Sequence, residues 1–143
     1  MLVANPTLMN VTHAVFRIGV GALFLQHGLQ KIFGLLGGRQ VELASLMGVA
    51  GIFELVGGSM LILGLFIQPV SAVLTVEMLV AFAKAHLPKG GLPIQNGGEL
   101  PLLFALAFVY LVGHGAGPFS LDAWLSRRRS RAARIDILTR RAA

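Results

Sequence analysis

Four long stretches of mostly apolar residues follow one another along the chain, separated by short polar or glycine-rich segments. A helix that crosses a bilayer needs about 20 mostly apolar residues, each adding about 1.5 Å. The pattern therefore predicts spans over residues 11–36, 44–67, 69–87 and 98–112. Short connections favour antiparallel neighbours. The predicted fold is all-α: residues 1–119 form an integral membrane antiparallel four-helix bundle.

Glycines at helical spacing indicate how the predicted helices touch. Gly21 and Gly28 are seven positions apart in the first span, and Gly51 and Gly58 share that spacing in the second. Residues two turns apart lie on one face of a helix, and small residues there allow two backbones to approach closely. We expect the first two spans to pack through these faces.

Ionisable residues lie inside the apolar stretches, which is unusual. A charge at the centre of a bilayer costs about 2.5 to 3.5 kcal/mol, so such residues are expected to face the bundle interior and to pair or to serve a function. The residues concerned are His13, Arg17, His27, Lys31, Glu54, Glu77, Lys84, His86 and Glu99.

The composition agrees with a membrane domain and limits the chemistry. Hydrophobic residues make up 55% of the chain, 13% are charged and the mean hydropathy is +0.77, which excludes a soluble globular or disordered chain. There is no cysteine, which excludes thiolate catalysis and cysteine-ligated metals. We predict no metal site and no intrinsic cofactor. His27 and His86 lie at similar predicted depths in the membrane and could both ligate a haem, but two histidines on different helices are a weak sequence signal for one.

Residues 120–143 are predicted to form a basic amphipathic helix on the membrane surface. The net charge of +6 is concentrated in this tail, and positive clusters beside spans stay in the cytoplasm, so both termini of an inner-membrane protein are predicted inside. A flexible tail or a nucleic-acid contact are the alternatives. The arginines are Arg127, Arg128, Arg129, Arg131, Arg134, Arg140 and Arg141, and the apolar stripe is Leu121, Trp124, Leu125, Ala132, Ile135 and Leu138.

Two polar groupings are the candidate sites. The first is a buried charge network in which Arg17 pairs with Glu77, Glu54 or both, either as a structural ion pair or as a proton or ligand site. The second lies at the outer end and would hydrogen-bond a carbonyl, quinone oxygen or carboxylate, while nearby phenylalanines contact the apolar body of the ligand. Its members are His27, Lys31, Lys84, His86 and Glu99.

Simpler explanations exist for the outer group. Long lysine side chains extend to lipid headgroups without binding a ligand, and histidines sit at wet interfaces. The spacing of Asn96 and Glu99 also matches a capping box, in which Glu99 would serve only to begin a helix.

Several motifs, in order, resemble those of the DoxX family of small four-span membrane proteins. They are R-I-G at 17–19, Q-H-G-L-Q-K at 26–31, G-I-F-E-L-V-G-G at 51–58, N-G-G-E-L at 96–100 and G-A-G-P-F-S-L-D at 115–122. The resemblance implies a four-helix membrane protein, often connected with an oxidoreductase, whose characteristic polar residues would be Arg17, His27, Lys31, Glu54, Glu99 and Asp122.

The expected function is that of a membrane subunit which binds a quinone or another small redox ligand and works with an oxidoreductase. Its expected partners are the lipid bilayer, an oxidoreductase protein and a quinone-like molecule, with a homo-oligomer as a further option and no nucleic acid. The alternatives are a small proton-coupled permease or exporter, which would need an oligomer to form a path, and a non-catalytic scaffold for a partner enzyme.

Overall fold

The computed structural model describes residues 5–142, without the side chains of residues 133–138 and 140–142. Within the described range the regular structure is helical and contains no strand, so the all-α prediction is confirmed. The helices are α1 (Pro6–Phe33), α2 (Leu46–Leu63), α3 (Ile67–Ala81), α4 (Pro93–Asn96), α5 (Glu99–His114) and α6 (Leu121–Ala142). After Ala81, α3 continues through a wide π-helical turn (Phe82–His86) and a short 3-10 turn (Leu87–Lys89).

Local sequence sets the helix ends. The Asn5 side chain accepts hydrogen bonds from the first backbone N–H groups of α1, and the Ser45 side chain does the same for α2. Gly34 and Gly64 end these helices with φ of 65° and 72°, the left-handed conformation that glycine adopts without strain. The turn between α2 and α3 therefore lies at residues 64–66, slightly before the predicted one.

Three helices are long and apolar enough to cross a membrane. They are Pro6–Phe33, Leu46–Leu63 and the continuous Ile67–Lys89. The fourth predicted span is the apolar helix α5, whose 16 residues extend only about 24 Å, less than a hydrocarbon core of about 30 Å. The fold is thus a membrane bundle of long apolar helices, with α5 shorter than its three neighbours.

The helices pack as two close pairs. α1 packs closely against α2, and α3 packs closely against α5. The backbones of α2 and α3 have fewer contacts, and those of α1 and α5 have very few. A Cβ atom added at Gly28 would lie 2.5 Å from the backbone N of Leu55, and one at Gly58 would lie 2.8 Å from that of Leu25. The predicted packing of the first two helices through glycine faces is confirmed.

The two ends of the bundle differ. At the tail end, where α2 stops and α6 starts, the interior is filled by side chains with almost no exposure, including Leu61, Ile67, Phe108 and Leu111. The opposite end, called the cavity end here, contains the last turns of α1, the first turns of α2 and the π-helical turn of α3. The filled core therefore occupies only part of the bundle's length.

The tail helix α6 is fixed to the bundle at its first turn. The Ser120 hydroxyl accepts a hydrogen bond from the N–H of Ala123 at 3.2 Å, and the N–H of Asp122 donates to the carbonyl of Gly64 at 3.1 Å. The helix is present as predicted. Its cytoplasmic location stays a prediction, and the side chains of Arg134, Ile135, Leu138, Arg140 and Arg141 lie outside the described residues.

Candidate functional site

A cavity of about 630 Å³ lies between the two helix pairs at the cavity end of the bundle. α1, α2, α3 and α5 all contribute to its wall, which is mostly apolar. Phe24, Phe53 and Phe104 supply aromatic surface, and Met78 and Val76 supply aliphatic surface. The polar lining side chains are His27, Lys31, Glu54, Glu77, Lys84 and His86.

An ion pair forms one polar part of the wall. Nζ of Lys31 on α1 lies 2.5 Å from Oε1 of Glu54 on α2, and Glu54 is only 3% exposed. Gly51 makes room for this lysine, because a Cβ atom there would lie 2.9 Å from the Cβ atom of Lys31. Close packing of α1 on α2 thus sets the distance between the two charges.

A second acid, Glu77 on α3, faces the same region. Both carboxyl oxygens of Glu77 are buried without a hydrogen-bond partner among the described residues, and so is Oε2 of Glu54. Glu77 also interacts electrostatically with Glu54 and with Lys31. Burying acceptor atoms without a donor is costly. Three acceptor oxygens beside the cavity therefore lack a donor, and a donor that reached them would remove this cost.

The remaining polar groups form the rim. The His27 ring meets the Phe104 ring edge-on, with centroids 5.9 Å apart. His86 stacks on Phe82, and its Nδ1 lies 3.1 Å from the carbonyl oxygen of Asn96, so this histidine is tied to the loop before α5. Lys84 is exposed within the same π-helical turn. Four of the five predicted outer residues thus line one cavity.

Glu99 does not join them. It is the first residue of α5, is exposed, and lies outside the cavity lining. The capping box is absent too, because Gly98 precedes the helix and the Asn96 side chain instead accepts a hydrogen bond from the N–H of Gly98 at 2.8 Å. Glu99 places a favourable negative charge in the first turn of α5 and does not line the cavity.

Arg17 also lies elsewhere. It is 1% exposed at the tail end, where it donates hydrogen bonds to two carbonyl oxygens in the last turn of α2, including Ile62 at 2.9 Å, and to the carbonyl of Phe119 at 2.7 Å. Its predicted pairing with Glu54 or Glu77 is wrong. Arg17 lies level with the end of α2, whereas both acids lie nearer the cavity end, too far along the bundle to pair with it.

A second cluster, at the tail end, was not predicted as a unit. Nδ1 of His13 lies 3.3 Å from the Tyr110 hydroxyl, and Nε2 lies 3.1 Å from the carbonyl oxygen of Gly115. The His114 ring lies over His13 with centroids 4.1 Å apart. Tyr110 and His114 are four residues apart on α5, a spacing that could have revealed their shared face. Among the described residues no group of three or more metal-binding side chains occurs.

Comparison of the sequence with known proteins places the chain in a family. The DoxX family model matches residues 12–87. The chain belongs to the DoxX family. The matched part of this DoxX protein spans most of α1 and all of α2 and α3, and so it carries the six polar residues that line the cavity. α5, which adds Phe104, lies beyond the match.

Two uncharacterized proteins of Haemophilus influenzae are similar to this DoxX protein. The first is 42% identical over 116 residues, covering 76% of this chain and 87% of the relative. The second is 31% identical over 74 residues, covering 52% of this chain and 49% of the relative. No solved structure is significantly similar to the chain.

Proposed function

We propose that this DoxX protein binds a lipid-soluble molecule of the quinone class and serves as the membrane subunit of an oxidoreductase system. The observation that carries the proposal is the cavity of about 630 Å³. Pockets for small molecules typically measure about 300 to 1,000 Å³ and combine apolar walls with a few converging polar groups. This cavity has both properties.

The polar groups suit both oxidation states of such a ligand. Nζ of Lys31 donates to Glu54 and has further N–H donors for a quinone oxygen. The carboxyl groups of Glu77 and Glu54, whose buried oxygens lack a donor, would accept from the O–H groups of a quinol after their side chains turn toward the cavity. Phe24 and Phe104 would contact the ring. The quinone supplies two-electron redox chemistry, and this chain would bind and orient it for an oxidoreductase partner.

The route into the cavity supports a ligand that travels in the membrane. Several lining residues of α2 and α3 have large exposed fractions, among them Val49, Phe53, Val73 and Val76, so the cavity is open between these helices. Side chains at these positions face acyl chains in a membrane-embedded bundle. A ligand dissolved in the bilayer would reach the cavity sideways, between α2 and α3.

The binding test uses purified protein, a short-tailed benzoquinone and its reduced form. A ligand that binds only the folded state at 100 times its Kd stabilises that state by about 2.7 kcal/mol, which raises the Tm. Glu77→Gln should weaken the stabilisation by the quinol. Glu99→Gln is the matched control, because Glu99 is exposed and outside the cavity. A Tm that neither ligand changes would refute quinone binding, and equal effects of the two variants would refute this location.

Transport is the less favoured alternative. Below the cavity the bundle is closed by Leu61, Leu74, Phe108 and Leu111, each at most 1% exposed. A filled core suits a binding site that ends inside the bundle better than a continuous path. Proton-coupled flux into proteoliposomes that disappears in Glu54→Gln, with no response to quinone, would favour transport instead.

A further inference from the structure

We propose that the start of α6 and the end of α2 form a binding site for an anionic phospholipid of the leaflet at the tail end. The site is independent of the quinone cavity, which lies at the opposite end of the bundle. It combines an apolar groove with arginine side chains beside it, the two features that match an acyl chain and its negatively charged headgroup.

The groove supplies the surface for an acyl chain. Its volume is about 430 Å³, and Leu63, Phe119, Leu121 and Trp124 line it together with Ser120. Leu63 is the last residue of a membrane-spanning helix, so the groove continues the apolar outside of the bundle. Leu63 and Phe119 are more than half exposed, and Trp124 is 44% exposed. Large apolar side chains exposed at this level fit contact with lipid tails.

Arginines supply the surface for the headgroup. The guanidinium group of Arg128 lies over the Trp124 ring at 4.1 Å from its centroid, and Nη2 of Arg127 donates to the carbonyl of Pro118 at 3.2 Å. A guanidinium stacked on a ring keeps its N–H edge available for a phosphate. Tryptophan is also favoured at the boundary between headgroups and acyl chains. The guanidinium group of Arg128 therefore lies beside the apolar surface of the groove.

The site is held in place by the bundle. The N–H of Asp122 donates to the carbonyl of Gly64, and Arg17 holds the carbonyl of Phe119. The groove is thus built from segments that these two hydrogen bonds hold together. Charge complementarity favours an anionic lipid over a neutral one, because Arg127, Arg128, Arg129 and Arg131 are all exposed along this part of α6.

Trp124 makes the proposal testable, because it is the single tryptophan of the chain. The full-length protein is placed in nanodiscs that contain equal fractions of phosphatidylglycerol and phosphatidylcholine, with bromine on the acyl chains of one lipid only. Brominated chains quench tryptophan fluorescence on contact. We expect brominated phosphatidylglycerol to quench Trp124 more strongly than brominated phosphatidylcholine, and high salt to reduce the difference.

Variants separate specific binding from simple proximity. Arg127→Gln with Arg128→Gln should reduce the preference for the anionic lipid by about fivefold for each arginine removed. Arg39→Gln, in the loop at the cavity end, is the matched control and should keep the preference. Each variant is compared with its own fluorescence in unbrominated nanodiscs. Equal quenching by the two lipids in the unaltered protein, no quenching by either, or an unchanged preference in the double variant would each overturn the proposal.

Discussion

The close contact of α1 with α2 at Gly28 allows a prediction in which two identical substitutions on one helix have opposite effects. A Cβ atom at Gly28 would lie 2.5 Å from the backbone N and 2.7 Å from the Cα of Leu55. A Cβ atom at Gly19 would meet nothing within 4 Å. Gly28→Ala should therefore destabilise the protein, whereas Gly19→Ala should stabilise it slightly.

The magnitude follows from two terms. Alanine favours a helix over glycine by about 1 kcal/mol, and Gly19→Ala retains this gain. At Gly28 the atoms in the way belong to the backbone of α2, and carbon atoms normally stay about 3.5 to 4.0 Å apart, so the helices must separate by about 1 Å. Overpacking of this kind costs about 1 to 3 kcal/mol. The helix gain is common to both variants, so they should differ by the overpacking cost alone, about 1 to 3 kcal/mol.

The assay is equilibrium unfolding in mixed detergent micelles, followed by circular dichroism of the helices. Both variants carry one added methyl group on α1, so their effects on detergent binding should be alike. A Gly28→Ala protein as stable as the Gly19→Ala protein would show that the two helices are not in close contact there, and the distance between Lys31 and Glu54 would lose its structural explanation.

Two further predictions concern buried charges. Arg17→Lys should lower the free energy of unfolding by about 3 kcal/mol, because one ammonium group cannot bond to the end of α2 and to Phe119 at once. Arg39→Lys is the control: Arg39 is exposed, and its substitution should have almost no effect in the same unfolding assay. Lys31→Met should destabilise by about 3 kcal/mol because it leaves Glu54 unpaired, and adding Glu54→Gln should recover most of that loss. A double variant that is less stable than Lys31→Met would contradict this account of the ion pair.

The long apolar runs were sufficient to predict the helices, because each exceeds the length of an ordinary soluble helix and ends in glycine, proline or a capping side chain. Ionisable residues within the apolar runs indicated buried polar groups, but Lys31 was assigned to the outer group and Glu54 and Glu77 to a network with Arg17, so the ion pair between Lys31 and Glu54 was not predicted. Spacing along a helix places residues on a face, which is why the glycine contacts between α1 and α2 could be predicted too.

Partners across helices were harder to predict, since they depend on how far each helix slides along its neighbour. α3 begins at Ile67, and ten residues of helix carry Glu77 about 15 Å away from the tail end, to the level of Glu54. Arg17 bonds to backbone carbonyls, which every residue possesses and no sequence pattern marks. Glu99 shares a level of the bundle with the cavity but not its lining, because depth along a helix does not say which face a first-turn residue occupies.

The contact between Lys31 and Glu54 joins α1 and α2, two apolar helices that follow one another along the chain. Each of these two helices carries a group whose charge lipid disfavours, and the ion pair lets a hairpin of α1 and α2 neutralise both charges without help from α3 or α5. Glu77 on α3 has no such partner among the described residues, because the nearby lysine is already paired with Glu54.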